Sequence, residues 1–117
     1  MAQRDINAAL ASQVRSLLLS TPSAELPMTY QQVAIALGLT PPRTIQRVAK
    51  ALEQLMEEDV AAGQPMIAAL VVSRRGDHLP AAGFFEQAVA LGRFPADAQQ
   101  HQALYVIERD RALNNRH

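Results

Sequence analysis

Residues 28–50 read Met-Thr-Tyr-Gln-Gln-Val-Ala-Ile-Ala-Leu-Gly-Leu-Thr-Pro-Pro-Arg-Thr-Ile-Gln-Arg-Val-Ala-Lys. Two helices joined by a tight turn account for this stretch. Thr29 followed three residues later by Gln32 is a capping box, in which a helix start satisfies its own backbone donors through side chains. Val33, Ala34 and Leu37 form a small apolar face. Gly38 suits the left-handed position just past a helix end. Thr40 reads as a second N-cap, with Pro41 at the first helical position, where its missing N–H costs nothing. A helix over about residues 41–61 follows, with Ile45, Val48, Leu52, Leu55 and Met56 as its buried stripe and Gly63 as its stop. This is the outline of a helix-turn-helix.

Working outward, residues 5–19 read as a first helix, with Ile6, Leu10, Val14, Leu17 and Leu18 at helical spacing. Beyond Gly63 the period changes. Residues 67–72 are a short apolar run bounded by glycine and proline, which favours a strand. Residues 74–77, Arg-Arg-Gly-Asp, read as a turn, and His78 and Leu79 as the start of a return strand. Residues 84–91 read as a short helix burying Phe84, Phe85 and Val89. A last helix over about residues 96–113 turns Leu104 and Ile107 inward and leaves Tyr105 near the rim. The tail, residues 114–117, is expected to fray. The fold expected is mainly α with a small β-hairpin, a winged helix-turn-helix. It forms a single domain over residues 1–117: a helix-turn-helix at about 29–62, a hairpin wing at about 66–79 and C-terminal helices at about 83–113.

Composition narrows the function classes. The 117 residues contain 11 basic and 11 acidic side chains and no cysteine. Zero net charge counts against a nucleic-acid binder unless the charge is segregated. Without cysteine there is no disulfide, thiol nucleophile or thiolate metal site. No segment reaches the roughly 18 consecutive apolar residues of a membrane span, and no leader pattern opens the chain. A cytoplasmic location is expected. His78, His101 and His117 have no partner at a ligand spacing, so no metal site is read. There is no glycine-rich phosphate loop, no serine with a visible base and no cofactor motif, so no catalytic residue is assigned.

The charge is segregated along the helix read at 41–61. Arg43, Arg47 and Lys50 recur at i, i+4 and i+7 and share a face, while Glu57, Glu58 and Asp59 crowd the far end. Both groups oppose the helix macrodipole, and violations of a local rule concentrate at functional sites. Arginine and lysine neutralise phosphates, and arginine or glutamine can read base edges. The expected DNA-contacting set is Tyr30, Thr40, Arg43, Gln46, Arg47 and Lys50, with Arg74 and Arg75 on the wing turn.

Two family resemblances bear on this reading. Thr29-Tyr30-Gln31-Gln32-Val33-Ala34 is similar to the Thr-Tyr-Gly-Glu-Val-Ala start of the winged-helix domain of alkylguanine-DNA alkyltransferases and alkyltransferase-like proteins. Arg47 to Leu52 looks like the recognition helix of that domain, and Gly83-Phe84-Phe85 like its Gly-aromatic segment. The family's Pro-Cys-His-Arg motif is replaced by Val71-Val72-Ser73-Arg74, which removes alkyl transfer, and its DNA-intruding arginine aligns with Gln46. The chain also resembles small bacterial winged helix-turn-helix proteins with Leu-Val-Val, Leu-Pro-x-x-Gly-Phe-Phe and Leu-Gly elements. Here these are Leu70-Val71-Val72, residues 79–85 and Leu91-Gly92. The resemblances imply a fold and, from the first, contact with DNA. The expectation is a non-catalytic bacterial regulatory or DNA-associated protein binding duplex DNA. The alternative is a protein-interaction module using helical apolar surfaces, for a homodimer or another partner.

Overall fold

The structure, a computed structural model, describes residues 2–74 and 78–116. It is mainly helical: α1 (Ala2–Ser20), α2 (Tyr30–Ala36), α3 (Thr44–Ala61), α4 (Ala82–Ala90) and α5 (His101–Asn115). Two short strands, β1 (Met28–Thr29) and β2 (Val71–Val72), complete it. Among the described residues no helix is long and apolar enough to cross a membrane.

The centre of the molecule is not a helix. Residues 66–72 are seven consecutive buried positions, from Met66 to Val72. Their apolar run lacks the alternation of a half-exposed strand because no side of it meets water. Only its last two residues are strand; Ile67–Leu70 form a 3-10 turn. β2 pairs with β1 in parallel, Met28 against Val71 and Thr29 against Val72. This corrects the expected hairpin. Parallel neighbours need a crossover, and α2 with α3 supplies it. Residues 78–80 form no return strand; a bond from the Ser73 N–H to the Leu79 carbonyl (2.8 Å) draws the chain back. The turn at 75–77, with Arg75, lies outside the described residues.

A buried segment of irregular backbone must have its N–H groups met from elsewhere. Two carboxylates from different helices do this on consecutive residues. Glu108 of α5 accepts from the Met66 N–H at 2.7 Å, and Asp59 of α3 accepts from the Ile67 N–H at 2.9 Å. Each is itself buried and paired: Glu108 with Arg93 at 2.7 Å, Asp59 with Arg15 of α1 at 2.9 Å. The Tyr105 hydroxyl donates to the Ala69 carbonyl at 2.7 Å. One segment is thus stitched to α1, α3 and α5.

These bonds set the rotation of α5. Its buried residues are Tyr105, Glu108 and Ala112, with Leu104 half-buried. Tyr105 is fully enclosed, edge-on to Phe84 at 5.8 Å, and not at the rim. Ile107, expected inside, is 48% exposed. The apolar residues alone pointed to the wrong face because a charged residue, Glu108, occupies the inward one. Of the tail expected to fray, residues 114–116 complete α5 and its cap, and His117 lies outside the described residues. Arg116 donates to the Leu18 carbonyl (2.9 Å) at the end of α1 and to the Ser23 hydroxyl (2.7 Å). It satisfies a carbonyl that the last helical turn leaves unpaired. α1 buries Leu10, Val14 and Leu18, as its spacing predicts; the Ile6 side chain lies outside the described residues.

Two consequences can be measured. Glu108→Ala leaves the Met66 N–H without its acceptor and the Arg93 guanidinium without its carboxylate, with only the Gln64 carbonyl still bonded to it among the described residues. It should cost about 3 kcal/mol in urea denaturation, the low end for a broken buried pair, because Arg93 keeps partial access to water. The second concerns the chain's two tyrosines. Burial pushes both Tyr30 and Tyr105 hydroxyls above the ordinary value of 10.0. The folded state therefore holds protons that the unfolded chain releases first, and stability falls as pH rises past about 10. Tyrosinate absorbance should appear together with loss of the helical circular dichroism; absorbance rising while the helices persist would contradict this burial.

Candidate nucleic-acid interface

The interface is built from α2, the turn after it and the first half of α3. The capping box forms: the Thr29 hydroxyl accepts from the Gln32 N–H at 3.1 Å, and the Gln32 side chain accepts from the Thr29 N–H at 2.9 Å. α2 buries Tyr30, Val33 and Ala34 and leaves Gln31, Gln32 and Ile35 outward. Gly38 closes it at φ 69°, with the Leu39 N–H on the Ala34 carbonyl at 3.0 Å.

α3 begins three residues later than its sequence suggests, at Thr44 rather than Pro41. A residue before proline avoids the helical region. Pro42 therefore denies Pro41 the first helical position, and the helix starts beyond the pair. Thr40 is exposed in the turn and is not the N-cap; Arg43 takes that place, at φ 62°. Its carbonyl accepts the first helical bond, from Arg47 at 3.0 Å, but its side chain caps nothing. A bulky residue in left-handed backbone stores strain.

From this start α3 turns Val48, Ala51, Leu52, Leu55 and Met56 inward. Gln46, Arg47 and Lys50 are exposed, spanning a sector of about 100° at 3.6 residues per turn. Arg43 is exposed at the same end. None of Arg43, Arg47 and Lys50 makes an ion pair with another described residue. The acids at the far end are different. Glu58 and Asp59 both meet Arg15, at 3.1 and 2.9 Å. Those two charges work for the fold, and the cations of the first turns are left over.

Ile45, expected in the buried stripe, is 45% exposed. It forms one wall of an open groove of about 420 Å³ with Tyr30, Gln31, Thr44, Ser73 and Arg74. Arg74 is exposed and donates to the Gln31 side chain, which ties the segment after β2 to α2. Tyr30 belongs to the framework. It is buried, and its hydroxyl accepts from the Ala81 N–H at 3.0 Å. Burial raises its pKa against the smaller, lowering effect of that bond. The sequence reading missed Gln31, Ile45 and Ser73. Gln31 carried one signal, as a polar residue on the outer side of a capped helix; the other two depend on where the chain returns after β2.

No family model matches the chain, and neither a curated protein nor a solved structure is similar to it.

Arg43 offers a test that separates fold from function. Arg43→Gly removes a Cβ from left-handed backbone, which favours the native state by about 1 kcal/mol, offset in part by the freer unfolded chain. The variant should be as stable as the parent or slightly more so by urea denaturation. A clear loss of stability would mean that the Arg43 side chain supports the turn.

Proposed function

We propose that this chain is a non-catalytic DNA-binding domain that presents the first half of α3 to the major groove of duplex DNA. The observation that carries the reading is the set of exposed cations Arg43, Arg47 and Lys50 on one end of a helix, none of them in an ion pair with another described residue, while Glu58 and Asp59 at the other end meet Arg15. In such a docking the first turns of the helix meet base edges. Arg47 and Gln46 can each bond two acceptor or donor groups on a base, while Lys50 and Arg43 suit phosphates. Arg74, held beside α2 by Gln31, adds a cation on the flank, and the exposed Thr40 can donate to the backbone. The reading is local: only the charge at this end, not the neutral whole, has to attract the duplex.

A second reading rests on α5. Val106 and Ile107, 38% and 48% exposed, sit side by side on its outer surface and could receive an apolar protein partner. Salt separates the two, since apolar contact does not weaken as ionic strength rises.

Fluorescence anisotropy with random duplex DNA tests the proposal. Three phosphate contacts give a slope of about −2.7 in log affinity against log salt, or roughly 40-fold weaker binding over a fourfold rise in salt. Arg47→Ala should lower the slope by about one if Arg47 meets a phosphate, or relax sequence preference at one position if it meets a base. No binding at low salt would remove the DNA reading and favour the α5 partner.

A further inference from the structure

The outward side of α3 carries more than a basic stripe. Besides Glu58, which pairs with Arg15, its exposed charged residues in order are Arg43, Arg47, Lys50, Glu53 and Glu57, at spacings of 4, 3, 3 and 4. The helical repeat keeps Arg47, Lys50, Glu53 and Glu57 within a sector of about 120°, and Arg43 stands exposed at the N-cap before them. Their signs invert about the middle: Arg43 mirrors Glu57 and Arg47 mirrors Glu53, with Gln46 and Gln54 also in mirrored places. All five are exposed, and none makes an ion pair with another described residue. Among the described residues Glu57 accepts only a long bond from Gln87 at 3.5 Å, and Gln54 is held by Asn7 at 2.8 Å, which leaves the five charges to define the stripe.

A helix face with this symmetry is complementary to itself, provided the second helix runs the other way. We propose that a second copy of this chain docks antiparallel on α3, about a two-fold axis at Lys50. Arg43 then faces Glu57 of the partner subunit, and Arg47 faces Glu53 of the partner subunit. The symmetry repeats both contacts, so four ion pairs form. The two lysines on the axis repel, and the glutamates one turn away offset them. A parallel arrangement sets like charges opposite each other, so charge selects both direction and register, as it does at the flanks of coiled coils. The contact is isologous and closes at two copies. Exposed ion pairs are individually weak and screened by salt, so the dimer is reversible and belongs to low ionic strength.

The dimer covers Arg43, Arg47 and Lys50. On the DNA reading proposed above, on which this last step rests, self-association and DNA compete for one face, and the acidic half of α3 acts as a built-in mimic of the phosphate backbone.

Sedimentation equilibrium of the intact chain, without DNA, tests the dimer. A monomer–dimer equilibrium is expected at low salt, moving to monomer at high salt. Arg47→Glu and Glu53→Arg each turn two attractive contacts into repulsive ones and should weaken the dimer by about tenfold or more. An equimolar mixture of the two variants restores opposite charges at both contacts and should associate where neither does alone. Three results would overturn the proposal: a wild-type monomer at every concentration and salt, a dimer indifferent to salt or to both reversals, or a mixture no more associated than its components. Anisotropy with duplex DNA is read separately. Failure to bind DNA leaves the sedimentation result standing, and a monomer that binds DNA sinks only the dimer.

Discussion

Two neighbouring backbone N–H groups, those of Met66 and Ile67, are buried with no strand or helix to receive them. Glu108 and Asp59 receive them. Burying a carboxylate is costly unless its charge is paired and its lone pairs are used, and both conditions are met twice, by Arg93 and by Arg15. The two acids come from helices 49 positions apart at these residues, and their arginines come from two further places in the chain. The clasp therefore fixes the helices relative to one another through a segment that has no regular structure of its own. The apolar contacts around residues 66–72 provide the burial; the clasp decides which face each helix turns inward.

That decision reaches the candidate interface. Asp59 lies in the last turn of α3, and its bond to Ile67 sets the helix's rotation. With that end anchored, Val48, Leu52 and Leu55 point to the core, and Gln46, Arg47 and Lys50 have no direction left but outward. The same helix thus has a structural end, where Glu58 and Asp59 pair with Arg15 of α1, and a free end, where the cations pair with no other described residue. The tie from Tyr30 to Ala81 does the equivalent for α2, holding it against the chain that follows the groove.

The parts of the fold legible in the sequence were those with local causes. The capping box at Thr29 and Gln32, the left-handed Gly38 and the α1 stripe each depend on residues a few positions apart, and each appears in the structure. The start of α3 was misread because Pro41 was weighed as a helix opener without the effect of Pro42 on it. The partner of β2 was misread because pairing lies 43 positions away, and a short apolar run looks the same before a turn or a crossover. Glu108 was invisible as a core residue, since only the two backbone groups it meets make its burial reasonable. For the interface, the spacing of Arg47 and Lys50 was enough to put them on one outer face. The roles of Tyr30 and Ile45 were not legible, because both follow from the non-local return of residues 73–81.

The parallel pairing of Met28–Thr29 with Val71–Val72 has a topological meaning. It brings together the two ends of the segment that holds α2, the turn and α3, so that segment is a loop closed at its base. Closing a loop grows only slowly more costly with its length. The turn at residues 39–43 is therefore where descendants of this chain can gain or lose residues, re-aiming the free end of α3 while its anchored end stays put. The closed segment is nonetheless not a portable module. Arg15, Glu108 and Arg93 lie outside residues 28–72, and a chain cut to those bounds would leave the Asp59 charge without Arg15 and the Met66 N–H without its acceptor.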